Sequence, residues 1–337
     1  MSGNIENHLK HGNNAIAWLV VTAGLLLLPL ALGQGYYLSA MNFIALYSMV
    51  AIGVCLLTGY GGQLALSHGA FFAIGAYCSS ILSLRAGLPP WISVIASQGF
   101  AALVAWGIGA VVLRLKGHYL AIASLAFAMI VEKLSMALAD LTGGSPGLTG
   151  IPRLSLGGFA IDSDLRFYYV AWPAVMLLQF FALNLVSSRI GRALRCVKEG
   201  EEIARLFGVD VRAFKVKLFI LSSVYGSLAG SLYAHYVTFV SPSVASIMFA
   251  IEILLVLALG GYTMLWGAIV GVAGINLLNE YLSVFVQYKR MIYGLALIVI
   301  VLVFPNGLFK GVADRIDSLV GILRTKGKSH AEPDARQ

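Results

Sequence analysis

A few polar side chains that could bind a small solute lie inside long apolar runs of this sequence. Glu252 stands alone among apolar residues in FAIEILLV, and an intramembrane acid normally faces a protein interior or a partner. It could bind a substrate ammonium group, pair with a cation of a sister subunit, or stay protonated. The other candidates for a translocation pathway are Gln63, Ser67, His68 and Asn276. Close helix packing explains the glycines and alanines that follow His68 better than a binding site does.

The sequence lacks the patterns that would make it an enzyme by itself. No G-x-x-x-x-G-K-[ST] loop is present to hold nucleotide phosphates. Cys55, Cys78 and Cys196 are far apart, which fits neither a disulfide framework nor a metal site. The histidines form no ligand or nucleophile pattern. We therefore predict no catalytic residues, no cofactor and no metal.

Composition places the chain in a membrane. Hydrophobic residues make up 59% of it and charged residues 11%, with a mean hydropathy of +0.86, whereas soluble domains are about half apolar and a quarter charged. Several apolar runs reach the length of about 20 residues that crosses a bilayer. The net charge of +8 comes from basic residues beside these runs, as the positive-inside rule expects. We predict contact with membrane lipid and not with nucleic acid.

The predicted fold is an all-α polytopic membrane protein with about ten transmembrane helices and both termini cytoplasmic. Two crossings within 249–282 keep most of the Lys/Arg residues on the cytoplasmic side, which a single crossing would not. A broken or re-entrant helix near 249–265 is the alternative, because Gly260-Gly261 interrupts this run. The predicted spans are 15–32, 38–58, 63–84, 91–113, 119–138, 167–186, 218–238, 249–261, 264–282 and 291–304.

These spans define the domain organisation. A transmembrane domain over 15–304 lies between cytoplasmic tails at 1–14 and 305–337. It carries an external loop, 139–166, and a cytoplasmic loop, 187–217. The external loop is rich in Gly, Pro and Ser, which predicts turns rather than helix. It either caps a pathway or meets an external protein, or it is a plain connector.

The cytoplasmic loop contains a short motif of the form E-x-A-x-x-x-G, which predicts a helix ended by glycine. Its large apolar residues Ile203, Leu206 and Phe207 share one face at i, i+3, i+4 spacing. Such a face suits a partner's groove, although it could equally pack on the membrane domain of this chain. The residues of the motif are Glu202, Ile203, Ala204, Leu206, Phe207 and Gly208.

This motif is similar to the coupling motif of ABC importer permeases, and the whole chain resembles the LivM-type permease subunits of branched-chain amino acid ABC importers. The resemblance covers most of positions 57 to 308. It is carried by LTGYGGQLALSHGAFFAIGAY (57–77), LTGGSPGLTGIPR (141–153), IGRALRCVKEGEEIARLFGVDV (190–211), SLAGSLYAHYVTFVSPSVASIMFAIEILLVLALGG (227–261), LWGAIVG (265–271) and YGLALIVIVLVFPNGL (293–308). One departure is Ile203, which replaces the second residue of the generic E-A-A pattern.

The resemblance implies a permease in a bacterial inner membrane that imports branched-chain or related amino acids. It implies a second, related permease subunit (LivH-like), two cytosolic ATP-binding subunits (LivG/LivF-like) and a periplasmic solute-binding protein. ATP hydrolysis would take place in the partner subunits, and the motif at 202–208 would be the ATPase-coupling helix. Family members that carry urea, amides or other small solutes leave the substrate open. An ion- or proton-coupled transporter is the competing class, for which no docking helix is expected.

Overall fold

The computed structural model describes residues 24–25, 28–29, 35–156, 159–282, 291–295 and 298. Most of the predicted spans 15–32 and 291–304, and both predicted tails, lie outside the described residues.

The described chain is built from α-helices joined by short loops, as the composition predicts. In chain order the helices are α1 (Tyr36–Val54, continued by a π-helical turn, Cys55–Tyr60), α2 (His68–Arg85), α3 (Pro90–Val112), α4 (His118–Ala137), α5 (Ala139–Thr142), α6 (Asp164–Ser187), α7 (Arg189–Glu199), α8 (Glu201–Leu206), α9 (Val211–Val237), α10 (Ile247–Gly260) and α11 (Leu265–Leu282). The strands are β1 (Leu148–Thr149), β2 (Ser155–Leu156), β3 (Phe159–Ala160) and β4 (Phe239–Val240), and a 3₁₀ turn covers Pro242–Ala245.

Within the described residues, five helices are long and apolar enough to cross a membrane, namely α1 with its π-helical turn, α3, α4, α6 and α9. The bent pair of α10 and α11 makes a sixth span if it is counted as one. Large apolar side chains of α3 and α4 are exposed, including Ile95 (71%) and Ile122 (65%). These faces suit lipid or a second subunit. The chain is therefore a multi-pass, all-helical membrane protein.

The centre of the fold is an antiparallel pair of helices, α1 and α9. Near one end, the Asn42 amide donates to the Tyr236 hydroxyl (3.2 Å), and further along the Ser222 hydroxyl donates to the carbonyl of Gly53 (2.6 Å). Residues 187–217 form a charged segment between apolar runs, and we call the end of the helices near this segment the island end. The opposite end, near residues 139–166, is the loop end. Because α9 has 27 residues, the two ends lie about 40 Å apart.

The start of α2 corrects the predicted span 63–84. The helix begins at His68, and residues 62–67 are non-helical. Gly62 has a φ of +65°, a conformation that favours glycine and breaks the helical path after α1. Hydropathy did not reveal this break because Leu64, Ala65 and Leu66 are apolar.

The start of α9 corrects the C-terminal bound of the predicted cytoplasmic loop, 187–217. Residues 211–217, predicted as loop, form the first two turns of α9. Asp210 caps this helix, its carboxylate accepting from the backbone N–H of Ala213 at 3.1 Å. Hydropathy did not predict this part of the helix because the segment is charged.

The loop at 139–166 is mostly non-helical, as predicted, but it also contains the short helix α5, the start of α6 and three of the short strands. β2 pairs with β3, while β1 pairs antiparallel with β4, which follows α9. A Cβ on Gly147 would lie 2.3 Å from the carbonyl oxygen of Val240. This close approach requires glycine and fixes the loop against the end of α9.

The chain between α9 and α11 forms a broken element, which was the predicted alternative near 249–265. The axes of α10 and α11 differ by 120° across the break at 261–264, where Gly261 has a φ of +93°. The 3₁₀ turn before α10 lies beside the start of α2, since a Cβ on Gly69 would be 3.6 Å from Ala245. α10 therefore begins partway along the bundle.

The segments around α2 and α10 have the same order of elements. α1 leads into non-helical residues 62–67 and then α2, and α9 leads into the short strand β4, the 3₁₀ turn and then α10. Because α1 and α9 are antiparallel, these two units run in opposite directions, as in the inverted repeats of many transporters. The N-termini of α2 and α10 meet between them.

Candidate functional site

Residues 187–217 fold into two short helices, α7 and α8, and the start of α9. Ser188 caps α7, because its hydroxyl oxygen accepts from the N–H groups of Ile190 (3.1 Å) and Gly191 (3.4 Å). α8 ends in a left-handed Gly208, φ +76°. The N–H of Gly208 donates to the carbonyl of Arg205 (2.9 Å), and the N–H of Val209 donates to that of Ala204 (3.1 Å). This pair of bonds is the Schellman motif.

α8 turns its apolar face away from the rest of the protein. Ile203 is 54% exposed, Leu206 86% and Phe207 78%. Only the small side chain of Ala204 is buried in this helix, against Val197 and Val211. α8 is thus a fixed helix that presents its large apolar side chains to the surroundings.

Glu201 connects α8 to the membrane helices, and the sequence analysis did not identify it. Its carboxylate accepts from the ammonium group of Lys215 in α9 and lies 3.6 Å from Arg205 and 3.8 Å from Lys116. Burial raises the pKa of Glu201, but the hydrogen bond and charge of Lys215, with the charges of Lys116 and Arg205, outweigh it and lower the pKa below its usual value. Glu202, the acid of the predicted motif, is exposed.

A second set of contacts runs from α7 to the break between α10 and α11. The Lys198 ammonium group donates to the carbonyl of Gly59 in the π-helical turn (2.6 Å). From the same turn, the Tyr60 hydroxyl donates to the carbonyl of Thr263 (2.6 Å), and the Cys55 thiol to that of Tyr262 (3.2 Å). Hydrogen bonds therefore link α7 to the break at 261–264 through the π-helical turn.

Three of the predicted pathway residues lie together before and at the start of α2. The His68 ring Nε2 is 2.7 Å from the hydroxyl of Ser222 in α9. Ser67 and Gln63 are buried, and their side-chain polar atoms have no partner among the described residues. Unsatisfied buried groups of this kind are costly, which is consistent with a site that meets water or a solute.

A small pocket connects the N-termini of α2 and α10. His68 and Gly69 line it from α2, and Phe249 and Ile253 line it from α10. We call it the inner pocket. A helix N-terminus carries partial positive charge, so two such ends around one pocket favour an anionic group of a solute.

Aromatic rings fill the space between the inner pocket and the loop end. Phe249 contacts Tyr47 and Phe72, with ring centroids 5.9 and 5.2 Å apart. The ring centroids of Tyr47 and Phe43 are 6.4 Å apart. We call Phe43, Tyr47, Phe72, Tyr233 and Phe249 the aromatic cluster. It lies between the inner pocket and the loop end.

Glu252 and Asn276 occupy different surroundings. Glu252 is half-buried in α10, three residues after Phe249 of the aromatic cluster. The Asn276 amide donates to the carbonyl of Val272 in its own helix, α11, at 3.0 Å. Glu252 therefore lies next to the aromatic cluster. The side-chain hydrogen bond of Asn276 is made within α11.

The comparisons with known proteins identify the family of this chain. The family described as the permease component of branched-chain amino acid transport systems matches residues 36–303. The chain belongs to this family. LivM, a high-affinity branched-chain amino acid transport permease of Escherichia coli K12, is 28% identical over 286 residues, or 78% of this chain and 67% of its own length.

Two further relatives are a second branched-chain amino acid permease and a permease of a sugar transport system. LivH of Salmonella typhimurium, also a branched-chain amino acid permease, is 27% identical over 283 residues, covering 78% of this chain and 90% of LivH. The L-arabinose permease AraH of Escherichia coli K12 is 30% identical over 280 residues, covering 77% of this chain and 79% of AraH. No solved structure matches the chain.

We expect the Glu201→Gln variant of this permease to loosen α8. Loss of the carboxylate leaves the Lys215 ammonium, 11% exposed, without its anionic partner, which costs about 1–3 kcal/mol. Hydrogen exchange over residues 201–208 should become faster in Glu201→Gln and stay unchanged in the control Glu202→Gln. Because the folded pKa of Glu201 is lowered, the same loosening should occur in the wild type only as pH falls below the unfolded value of 4.5. Equal exchange rates in the two variants would contradict this role.

Proposed function

We propose that this chain is the membrane-spanning permease of an ABC importer that moves branched-chain amino acids across the bacterial inner membrane. ATP hydrolysis takes place in two cytosolic partner subunits, and a second, related permease subunit completes the pathway. A periplasmic solute-binding protein delivers the solute. The proposal is supported by the family and by the names of the LivM and LivH relatives.

The observation that carries the proposal is the exposed apolar face of α8. Ile203, Leu206 and Phe207 are more than half exposed, on a helix held by the ion cluster of Glu201. A short amphipathic helix with such a face fits a groove on a partner. In this proposal, residues 187–217 form the cytoplasmic coupling loop, and movement of the ATPases reaches the break at 261–264 through Lys198 and Tyr60.

The test is uptake by the complete importer reconstituted in proteoliposomes with its binding protein. We expect uptake of leucine, isoleucine and valine that requires ATP and persists when ion gradients are collapsed. Uptake without ATP that depends on an ion gradient would replace the proposal with the secondary-transporter class.

A second candidate keeps the importer class and changes the solute. One relative of this chain, AraH, is named as the permease of an L-arabinose transport system. Urea and amides were further alternatives from the sequence. Identification of the solute that the cognate binding protein retains, followed by uptake of the same solute, decides among them.

The inner pocket and the aromatic cluster form the proposed translocation pathway. His68 lines the inner pocket and bonds to Ser222, and the buried polar groups of Ser67 and Gln63 lie in the non-helical segment just before it. Glu252 adds a carboxylate three residues after Phe249 in α10. Asn276 is a less direct candidate because its amide is bonded within α11. Alternating access would require the aromatic rings to separate.

We expect Glu252→Gln to lower uptake at least tenfold while assembly with the partner subunits is retained. A carboxylate at a helix centre costs about 2.5–3.5 kcal/mol on insertion scales, and a solute ammonium group in the pathway would offset this cost. Glutamine keeps the shape and removes the charge. Failure of the variant to assemble would instead indicate an ion pair between subunits, and unchanged uptake would indicate a neutral packing role.

The proposed topology has ten spans, with the island end and both termini in the cytoplasm. The domain organisation is then a permease domain at 15–304 between tails at 1–14 and 305–337, with an external loop at 139–166. We expect a reporter fused after Arg324 to be active only in the cytoplasm, because this places the basic residues of the C-terminal tail inside. A matched fusion after Arg153 should report the periplasm. Periplasmic activity of the fusion after Arg324 would reverse the last spans.

A further inference from the structure

A cavity of about 260 Å³ lies at the loop end, where α1 and α6 begin and α9 ends. Its polar lining includes Ser39, Arg153, Asp164 and Tyr236, and its apolar lining includes Phe43 and Val237. We call it the outer cavity. It is at the opposite end of α9 from the coupling loop and opens towards the side from which an importer receives its solute.

Opposite charges face this cavity from two elements. Asp164, in the first turn of α6, accepts a hydrogen bond from the Tyr236 hydroxyl through Oδ1 (2.8 Å). Arg153, in the loop before α6, is exposed and donates one N–H to the backbone carbonyl of Asp162. The guanidinium group has five N–H donors and a carboxylate about four acceptor positions, so both groups retain capacity for a ligand. Among the described residues, the carboxylate of Asp162 is paired with Arg166 at 2.7 Å.

The anionic wall of the outer cavity is held in place by a buried amide. Asn42 is fully buried, and its Nδ2 donates to the backbone carbonyl of Asp164 (3.0 Å) and to the Tyr236 hydroxyl (3.2 Å). The ring of Tyr236 is stacked on Phe167, with centroids 4.1 Å apart. The carboxylate and the hydroxyl therefore have fixed positions before any ligand arrives, as a binding site requires.

We propose that the outer cavity binds the zwitterionic head group of an aliphatic α-amino acid. Arg153 binds the carboxylate, a group that its planar guanidinium fits. Asp164 binds the ammonium group, and Phe43 and Val237 contact the aliphatic side chain. This inference rests on the proposed function, and it adds that the permease itself recognises both charged groups of the solute.

The position of the outer cavity also explains how a bound solute would reach the pathway. Phe43 lines the cavity and belongs to the aromatic cluster, with Tyr47 next to it at 6.4 Å. Tyr47 in turn contacts Phe249, which lines the inner pocket. A solute in the outer cavity would thus lie directly on the ring that must move to open the route inward.

The experiment measures binding of radiolabelled L-leucine to the complete importer in nanodiscs, without the solute-binding protein. We expect Arg153→Gln and Asp164→Asn each to weaken binding at least tenfold. The matched control is Arg85→Gln, which removes an exposed cation at the end of α2 that does not line the outer cavity, and it should leave binding unchanged. Asp164→Asn keeps the size of the original side chain, whereas Arg153→Gln is shorter but stays polar. Copurification of the ATP-binding subunits verifies the folding of both variants.

Two leucine analogues give a readout that a structural role would not change. 4-Methylpentanoate lacks the ammonium group and 3-methylbutylamine lacks the carboxylate, so both should compete poorly with leucine on the wild type. Asp164→Asn should lose discrimination against 4-methylpentanoate, and Arg153→Gln should lose discrimination against 3-methylbutylamine.

Three results would overturn the inference: no saturable leucine binding by the wild type, wild-type affinity and discrimination in both variants, or a defect confined to capture of the solute-binding protein. The proposed function fails separately, if the wild-type importer shows no ATP-dependent uptake of branched-chain amino acids.

Discussion

Replacement of both Leu206 and Phe207 by aspartate should abolish ATP-driven uptake while the protein still inserts into the membrane. The two side chains are 86% and 78% exposed, so the change removes no internal contact of this chain. Burial of large apolar side chains at the centre of an interface is worth about 2 kcal/mol or more for each residue, and two carboxylates in that interface add a desolvation cost. The measurements are leucine uptake and copurification of the ATP-binding subunits.

The control is Tyr37→Asp, since Tyr37 is an aromatic residue of similar exposure (68%) at the loop end. It should leave copurification of the ATP-binding subunits unchanged. Gly208→Pro gives an independent route to the same defect, because proline cannot adopt the φ of +76° that ends α8. Normal ATPase capture by the double aspartate variant would show that α8 is not the coupling helix.

The sequence predicted the lipid-facing helices well because their signal is local. Spans predicted at 91–113 and 119–138 correspond to α3 (Pro90–Val112) and α4 (His118–Ala137), since uniform apolarity over the length of a bilayer is enough to define them. The helix of the coupling motif was also predictable, because an acid, an apolar face and a glycine at fixed spacing define a short capped helix.

The errors arose where distant parts of the chain decide the local structure. Residues 64–66 are apolar, yet the chain over 62–67 is non-helical and passes α7, where Gly62 faces Lys198. Glu201 gains its role from Lys215, fourteen residues along the chain, while the neighbouring Glu202 carries the recognisable motif. No spacing rule distinguishes these two acids before the helices are packed.

The outer cavity was not predictable for the same reason. Its polar groups come from the start of α1, the loop before α6, the start of α6 and the end of α9. Only the antiparallel pairing of α1 with α9 and the pairing of β1 with β4 bring them together. The inner pocket is similar, because α2 and α10 are far apart in sequence and meet through their first turns.

The contact between α2 and α9 predicts the second large effect, which is a loss of stability in Gly230→Ala. A Cβ on Gly230 would lie 1.9 Å from the carbonyl oxygen of Phe72 in α2. Backbone cannot move away as a flexible side chain can, so α2 and α9 must separate. Overpacking of this kind costs about 1–3 kcal/mol and occasionally more, and here it would also disturb the bond between His68 and Ser222.

Gly226→Ala is the matched control for this prediction. Gly226 lies one turn earlier on the same face of α9, but its Cβ would be 3.5 Å from the nearest atom, the carbonyl oxygen of His68, which is an ordinary contact. We expect Gly230→Ala to lower both the yield of monodisperse protein and its thermal midpoint, and Gly226→Ala to change neither. Equal behaviour of the two variants would mean that the helices separate at little cost. The close approach of α2 to α9 would then not be what holds His68 at the inner pocket.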